Sequence, residues 1–194
     1  MNAPFRYDAN QDVKTIKIGY LKSDFARTYP FKQQDSIALA TLQSLGYTLI
    51  PIELPQMPDI SVILTAEAGA AFDELTRSNR DDLLVRQDRN AWPTTFRESR
   101  FIPAVEYIQA NRLRTKLIED MQREVFSRVD VYINPSWVGS SLRITNYTGH
   151  PAVVLPNGFR NGRPTSITFT GKLYDDGTVL RVARAYQDAT DHHR

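Results

Sequence analysis

Two strand-like segments on either side of an amphipathic one most constrain the fold of this chain. Apolar and polar residues alternate from Thr15 to Leu21, as is typical of a β-strand, and Tyr47 to Ile52 forms a second such segment. Between them, Asp35 to Leu45 places its apolar residues on one helical face, and Gly46 follows where a left-handed C-terminal cap is expected. A strand, a helix and a strand in close succession predict a βαβ unit, so the two strands should be parallel neighbours.

The remainder of the chain predicts further helices and strands around this unit. Helices are expected at 61–75 after the capping residue Asp59, at 103–128, and from Asp175 or Asp176 onward; strands are expected at 129–135, 151–155 and 165–170. The dipeptides Asn157–Gly158 and Asn161–Gly162 supply turn residues that tolerate positive φ. The polar stretch 77–100 predicts a loop with a short helical turn, interrupted at Trp92–Pro93. These elements indicate one α/β domain with a mixed sheet over residues 13–190, preceded by an extended leader at 1–12.

Composition excludes several functional classes. The chain has 24 Lys and Arg against 22 Asp and Glu, and the two signs are interleaved, so neither nucleic acid nor a lipid surface is an expected partner. It contains no cysteine, and no apolar run of the ~18 residues that a membrane span requires. No phosphate-binding glycine loop, H-E-x-x-H motif or EF-hand is present, so no cofactor or metal is predicted. We therefore expect a soluble, cytoplasmic protein.

Two sequence features could suggest nucleophilic catalysis. Gly139-Ser140-Ser141 contains serines, but the nucleophile elbow G-x-S-x-G needs glycine on both sides, and Val138 and Leu142 flank Ser140 instead. A turn after Pro135 is the preferred interpretation. His150 would need a nucleophile and an orienting carboxylate to act as a general base, and the sequence identifies neither. A structural or pocket-wall role for His150 is therefore favoured, and the terminal pair His192–His193 is not expected to form a metal site.

One stretch carries a family resemblance. Residues 145–159 read T-N-Y-T-G-H-P-A-V-V-L-P-N-G-F, and Gly162 to Gly171 follow with G-R-P and a strand that ends in glycine. This stretch resembles the closing segment of amidase signature enzymes, which read TN-x-TG-x-P-A-x-x-x-P-x-G-F. A second and less specific block is the helix after Arg112 that leads into Val131–Pro135. The resemblance extends from Ile16 to Tyr186.

The resemblance implies a partial α/β/α sandwich and amide chemistry. Enzymes of this family use a Lys, a cis-peptide Ser and a nucleophilic Ser, all in an N-terminal half rich in Gly and Ser that has no counterpart in this sequence. The chain therefore resembles the C-terminal half of an amidase, with no catalytic residues of its own. We expect it to be inactive alone and to contribute a sheet edge and a wall of the substrate pocket. The expected lining residues are Trp137, Ser140, Thr145, Asn146 and His150.

Three functions remain open from the sequence. A C-terminal amidase fragment would bind a small amide only with its N-terminal half, and would expose an apolar docking face that could drive homo-oligomerisation. A fragment of an amidotransferase of the glutamyl-tRNA type also resembles this family, although a more basic surface than a net charge of +2 would be expected. A non-catalytic binding domain with the same fold would instead present a closed, polar surface. The first function is preferred.

Overall fold

A computed structural model describes residues 4–8, 12 and 15–193, which form two compact units. One unit comprises residues up to Met57 and from Ile118 onward, and the other comprises Pro58–Leu117. Of the predicted leader, residues 4–8 and 12 have no helix or strand, whereas 1–3 and 9–11 lie outside the described residues, as does the predicted domain start at residue 13. The single domain at 13–190 stays a prediction. Within the described ranges, no helix is long and apolar enough to cross a membrane.

The first unit contains a mixed sheet of five strands. The strands are β1 (Ile18–Leu21), β2 (Leu49–Ile52), β3 (Val131–Pro135), β4 (Ala152–Arg160) and β5 (Arg163–Gly171), in the order β2-β1-β3-β5-β4. Strand β1 runs parallel to both β2 and β3, whereas β5 is antiparallel to β3 and β4. The predicted α/β class, the mixed sheet and the parallel pairing of the first two strands are therefore confirmed.

Four of the helices belong to this unit. They are α1 (Lys22–Ala26), α2 (Lys32–Ser44), α7 (Ser141–Thr148) and α8 (Asp176–Asp188). Helices α2 and α8 contribute Ala38, Leu42, Val179, Val182 and Tyr186 to a core shared with the sheet. Gly46 follows α2 with a φ of 89°, as its predicted capping position requires.

The second unit is helical. It contains α3 (Ser61–Ala71), α4 (Asp73–Arg77), α5 (Trp92–Glu98) and most of α6 (Ala104–Asp120), which continues as a π-helical turn at Met121–Phe126. Short 3₁₀ helices occupy Arg80–Leu83 and Ser99–Phe101. The expectation that Trp92–Pro93 interrupts helical structure is wrong, because this dipeptide begins α5. Proline is tolerated in the first turn of a helix, where its missing N–H would have no intrahelical acceptor.

Helix α7 occupies a segment for which the sequence predicts only a turn after Pro135. The buried residues of α7 have ordinary helical spacing, but three of the four are the polar Ser141, Thr145 and Thr148 rather than apolar residues. The segment therefore lacks the recurring apolar residues by which a helix is predicted from sequence. Gly149, with a φ of 76°, ends the helix in the left-handed conformation and is the one local signal of its position.

Strands β4 and β5 form a hairpin that is longer than predicted. Its turn consists of Asn161 and Gly162, which have φ values of 51° and 73°, as expected for turn residues. Asn157–Gly158, which the sequence also assigns to a turn, instead lies inside β4, where the register with β5 shifts between Pro156 and Gly158. Such a bulge accommodates one extra residue, here Asn157. Glycine can adopt the positive φ that a turn or a β-bulge requires, so the Asn-Gly dipeptide alone does not distinguish a turn from a bulge.

We expect Leu42→Ala to lower the free energy of unfolding by about 2–5 kcal/mol, because it leaves a cavity in the core under α2. Leu42 is fully buried, whereas Ile37 on the same helix is 52% exposed. The matched control Ile37→Ala should therefore change stability by less than about 1 kcal/mol. Urea unfolding monitored by circular dichroism measures both variants, and equal losses would contradict the packing of α2 against the sheet.

Candidate functional site

A surface cavity of about 230 Å³ lies beside the outer strand β4, and we call it the β4 pocket. Its lining comes from β3, α7, β4, β5 and the turn after β3, and consists of Asn134, Ser136, Trp137, Ser141, Leu142, Thr145, Ala152, Val154, Ser166 and Thr168. All ten of these described residues are uncharged. Four of them, Trp137, Leu142, Ala152 and Val154, are apolar, so the pocket offers van der Waals contact along one wall and hydroxyl groups along another.

The hydroxyl wall of the β4 pocket centres on Ser136. Its Oγ accepts hydrogen bonds from Ser166 Oγ at 3.0 Å and from Thr168 Oγ1 at 2.9 Å. A serine hydroxyl accepts two hydrogen bonds and donates one, so both acceptor positions of Ser136 are filled and its own proton is left to donate. Ser136 can therefore act as a donor to an acceptor placed in the pocket, such as an amide carbonyl oxygen.

A second group of polar side chains extends from the pocket lining into the core. Ser141 Oγ donates to Asn134 Oδ1 at 3.1 Å, and lies 2.9 Å from the Tyr132 hydroxyl, which is then the donor to Ser141. Asn134 Nδ2 donates in turn to the Pro135 carbonyl at 2.8 Å. Burial raises the pKa of Tyr132 to about 12, against the smaller effect of its hydrogen bond to Ser141, so the phenol stays protonated. This series of bonds fixes the start of α7 to β3.

A separate cavity of about 250 Å³ lies at the carboxyl ends of the parallel strands, and we call it the strand-end pocket. It is lined by Leu21, Ser23, Asp24, Arg27, Glu53, Leu54, Gly139 and Ser140. Burial raises the pKa of Asp24, Arg27 lowers it, and the nearby Glu53 raises it further. A Cβ on Gly139 would lie 2.1 Å from Asp24 Oδ2, so only glycine allows the turn after β3 to approach this carboxylate. Two carboxylates and one guanidinium make this pocket polar, unlike the β4 pocket.

His150 is buried and neutral. Its ring stacks on Phe126 with a centroid separation of 4.8 Å, and its Nδ1 lies 2.7 Å from Thr148 Oγ1. Because the Thr148 hydroxyl donates to the Ile144 carbonyl at 2.8 Å, it must accept from His150, which places the imidazole proton on Nδ1. Burial lowers the pKa of His150 to about 4. The side chain therefore holds the segment after α7 against Phe126.

The structure separates the five residues that the sequence assigns to substrate binding. Trp137 and Thr145 line the β4 pocket, Ser140 lines the strand-end pocket, Asn146 is exposed on α7, and His150 is buried against Phe126. Their role in binding stays a prediction. Sequence reasoning missed the hydroxyls of Ser136, Ser166 and Thr168, which only the pairing of β3, β4 and β5 brings together. Within the described ranges, no group of three or more His, Asp or Glu could hold a metal ion.

Known sequences similar to this chain include subunits of amidotransferases. The chain is 28% identical over 227 residues to the A subunit of glutamyl-tRNA(Gln) amidotransferase from Bacillus licheniformis, an alignment that covers 94% of this chain and 47% of the relative. The corresponding protein of Carboxydothermus hydrogenoformans is 26% identical over 229 residues. The chain thus spans about half the length of the curated relatives it matches. Both alignments exceed the 194 residues of this chain, so the relatives carry additional segments within the matched region. No protein-family model matches the chain.

Solved structures with the same fold include amidases. The peptide amidase of Stenotrophomonas maltophilia superposes with a TM-score of 0.75 at 18% identity, over 91% of this chain and 43% of that one. A bacterial aryl acylamidase of the amidase signature family superposes with a TM-score of 0.67 at 17% identity, over 94% of this chain and 45% of that one. The fold is therefore that of amidase signature enzymes, and the chain spans less than half of each of these two structures. The predicted resemblance is confirmed.

We expect Ser141→Ala to lower the free energy of unfolding by about 2–3 kcal/mol, because it removes the partner of two buried groups, the Tyr132 O–H and Asn134 Oδ1. The control Tyr132→Phe removes one bond and leaves Ser141 paired with Asn134, so it should cost about 1 kcal/mol. Urea unfolding of both variants tests this order. A larger loss for Tyr132→Phe would contradict the bonding of Ser141.

The pKa of His150 predicts a stability change with pH. The unfolded imidazole takes up a proton near pH 6.5 and the folded one near pH 4, so unfolding binds a proton between these values and stability falls as the pH decreases. Relative to His150→Asn, the wild type should lose up to about 3 kcal/mol between pH 7 and pH 4. His193→Asn at an exposed position is the control. If the urea midpoints of the wild type and of His150→Asn change equally between pH 7 and pH 4, a buried, neutral His150 is contradicted.

Proposed function

We propose that this chain supplies the C-terminal part of an amide C–N hydrolase and forms a wall of its substrate pocket. The catalytic groups would come from an N-terminal half of the amidase signature type. One observation carries the proposal: the stretch Thr145–Gly171, which holds the specific family resemblance, builds much of the β4 pocket. It contributes part of α7 and the whole of β4 and β5.

The lining of the β4 pocket favours a neutral group of modest size. A ligand with a full charge would have to give up its hydration against a pocket without an opposite charge, which is costly. An aryl or branched aliphatic group would instead bury apolar area against Trp137, Leu142 and Val154. The Ser136 hydroxyl can donate to a carbonyl oxygen at the other wall. The pocket thus suits the acyl or leaving group of a simple amide.

The described residues around the β4 pocket provide binding without catalysis. Amide hydrolysis needs an activated nucleophile, a base within hydrogen-bond reach, and donors aimed at the oxyanion. Ser141 donates to a side-chain amide oxygen, which is not a base, and accepts from a phenol that stays protonated. His150 uses its Nδ1 proton on Thr148, has a lowered pKa, and lines neither pocket. We therefore expect no hydrolysis by this chain alone.

The surroundings of the β4 pocket suit a docking surface for the catalytic half. Strand β4 is the last in the sheet order, so one edge of its backbone is not paired within the described sheet. Three large apolar side chains that line the β4 pocket are also exposed, namely Trp137 at 76%, Val154 at 58% and Leu142 at 48%. Burying these groups against a second half would stabilise the assembly and close the pocket at once. The same surface could pair two copies of the chain when that half is absent.

A second candidate is the C-terminal part of an amidotransferase subunit. The similarity to the glutamyl-tRNA(Gln) amidotransferase sequence of Bacillus licheniformis, at 28% identity over 94% of this chain, favours it. A glutamine-like donor carries an ammonium and a carboxylate, and the ten residues of the β4 pocket offer no charge for either. The required charges would have to come from elsewhere, so the hydrolase remains the better-supported function.

We expect the purified chain to show no amide hydrolysis by itself and to gain activity when an N-terminal half of the amidase signature type is co-expressed with it. Aryl and aliphatic amides should be hydrolysed faster than glutamine, because the β4 pocket is uncharged. Product ammonia or arylamine released per minute gives the rate, and size-exclusion chromatography with light scattering gives the assembly state.

Two surface variants sharpen this experiment. Val154→Arg places a charge on the apolar docking surface and should lower both co-purification and activity at least tenfold, a loss of about 1.4 kcal/mol. Ile37→Arg makes the same change at a similarly exposed position on α2 and should leave both unchanged. Hydrolysis by the isolated chain would refute the proposal. A preference for glutamine would favour the amidotransferase instead.

A further inference from the structure

A buried polar contact joins α2 to the bulge of β4. Asp35 in the first turn of α2 is fully buried, and Asn157, the extra residue of the bulge, is 2% exposed. Asn157 Nδ2 donates a hydrogen bond of 2.6 Å to Asp35 Oδ1. Next to this pair, Gln34 Nε2 donates to the Phe159 carbonyl at 3.0 Å. The bulge in the outer strand is thus attached to α2 through side chains.

The same pair leaves two oxygens without donors. Asp35 Oδ2 and Asn157 Oδ1 are both buried and have no hydrogen-bond partner among the described residues. If Asp35 is ionised, both atoms are acceptors only, and each keeps the full cost of its lost hydration. If Asp35 carries a proton on Oδ2, that oxygen becomes a donor and can bond to Asn157 Oδ1. The carboxylic acid and the primary amide then form a reciprocal pair with two hydrogen bonds. A single proton would then satisfy both oxygens.

The surroundings of Asp35 contain no compensating cation. The titratable groups that face it are two phenols, Tyr29 in the segment before α2 and Tyr186 on α8. Burial raises the pKa of both phenols, and the negative charge of Asp35 raises it further. The Tyr29 hydroxyl points toward Asp35, although neither its oxygen nor Asp35 Oδ2 reaches good hydrogen-bond geometry. Within the described chain, no Lys or Arg contributes to the electrostatics of this carboxyl group. A buried carboxylate without a cation is costly, so the neutral acid is favoured.

We propose that Asp35 and Asn157 form a proton-dependent latch: the protonated Asp35 closes a reciprocal hydrogen-bonded pair with Asn157, and loss of that proton leaves a buried carboxylate that regains its hydration when the β4 bulge separates from α2. Because Ala152 and Val154 of β4 line the β4 pocket, the latch links mildly acidic conditions to a firmer pocket wall. The proton moves between Asp35 Oδ2 and solvent, and no other bond changes.

The titration range of the latch follows from burial. Burial raises the pKa of Asp35 from 3.8 to about 6, while the hydrogen bond from Asn157 and the nearby Tyr29 hydroxyl lower it. Between these values the folded state binds a proton that the unfolded state has released, so stability decreases as the pH rises from about 4 to about 6 and is level above that. The raised pKa of Asp35 therefore makes stability fall as the pH rises, whereas the lowered pKa of an ion-paired aspartate makes stability rise with pH.

Asp35→Asn tests the latch because an amide can form the same reciprocal pair with Asn157 at every pH. Each pKa unit between the two states corresponds to a tenfold change in the unfolding constant, so the constant of the wild type relative to Asp35→Asn should rise about a hundredfold from pH 4 to pH 7. Asp188→Asn, at a side chain that is 57% exposed, is the matched control and should change this ratio less than threefold. If the unfolding constant of the wild type relative to Asp35→Asn is the same at pH 4 and pH 7, the proposal is overturned.

Two further measurements follow the latch in the wild-type chain. The ¹³C shift of the Asp35 carboxyl group should titrate near pH 6, and a midpoint below pH 4.5 overturns the proposal. Amide exchange at residues 152–158, corrected for intrinsic rates, should become at least threefold faster from pH 5 to pH 7 in the wild type and stay level in Asp35→Asn. Titration of Asp35 without this change in exchange overturns the link to β4.

Discussion

The fold of the first unit depends on the two pairings of β3. This strand is buried at all five positions and is the only one in the described sheet with a parallel neighbour on one side and an antiparallel neighbour on the other. It therefore joins the βαβ part, which is local in sequence, to the hairpin of β4 and β5. The β4 pocket exists because this junction places the turn after β3 and helix α7 beside the hairpin.

Asp130, which directly precedes β3, stabilises this junction. Its carboxylate accepts the Lys17 backbone N–H at 2.9 Å and the Lys172 ammonium at 2.5 Å, so it contacts the segments next to β1 and β5 at once. Burial raises the pKa of Asp130, but the hydrogen bonds from Lys172 and Lys17 outweigh it and leave the pKa lowered. The pKa values of the partly buried Asp130 and the fully buried Asp35 shift in opposite directions, because Asp130 has a cation and a backbone donor and Asp35 has an amide and phenols.

Sequence reasoning predicts the elements whose apolar residues have a clear period, and it fails where polar residues are buried. The βαβ unit, the long helix before β3 and the last two strands carry such patterns. Helix α7 does not, since Ser141, Thr145 and Thr148 face inward and are satisfied by hydrogen bonds that no spacing rule anticipates. Of the candidate site, Trp137 and Thr145 could be placed from the family resemblance. The Ser136 hydroxyl wall could not, because it depends on strand register.

The bulge in β4 also bears on the behaviour of an open sheet edge. A long, regular outer strand offers its unpaired backbone to any other extended chain and so promotes aggregation. Strand β4 is interrupted at Asn157–Gly158, next to Pro156, which has no N–H to donate. Indiscriminate strand addition is thereby discouraged, since an added strand would meet a break in the ladder midway along the edge. A strand added at this edge would have to match the break in order to pair along the whole of β4, so the irregularity restricts which extended chains can add to the sheet.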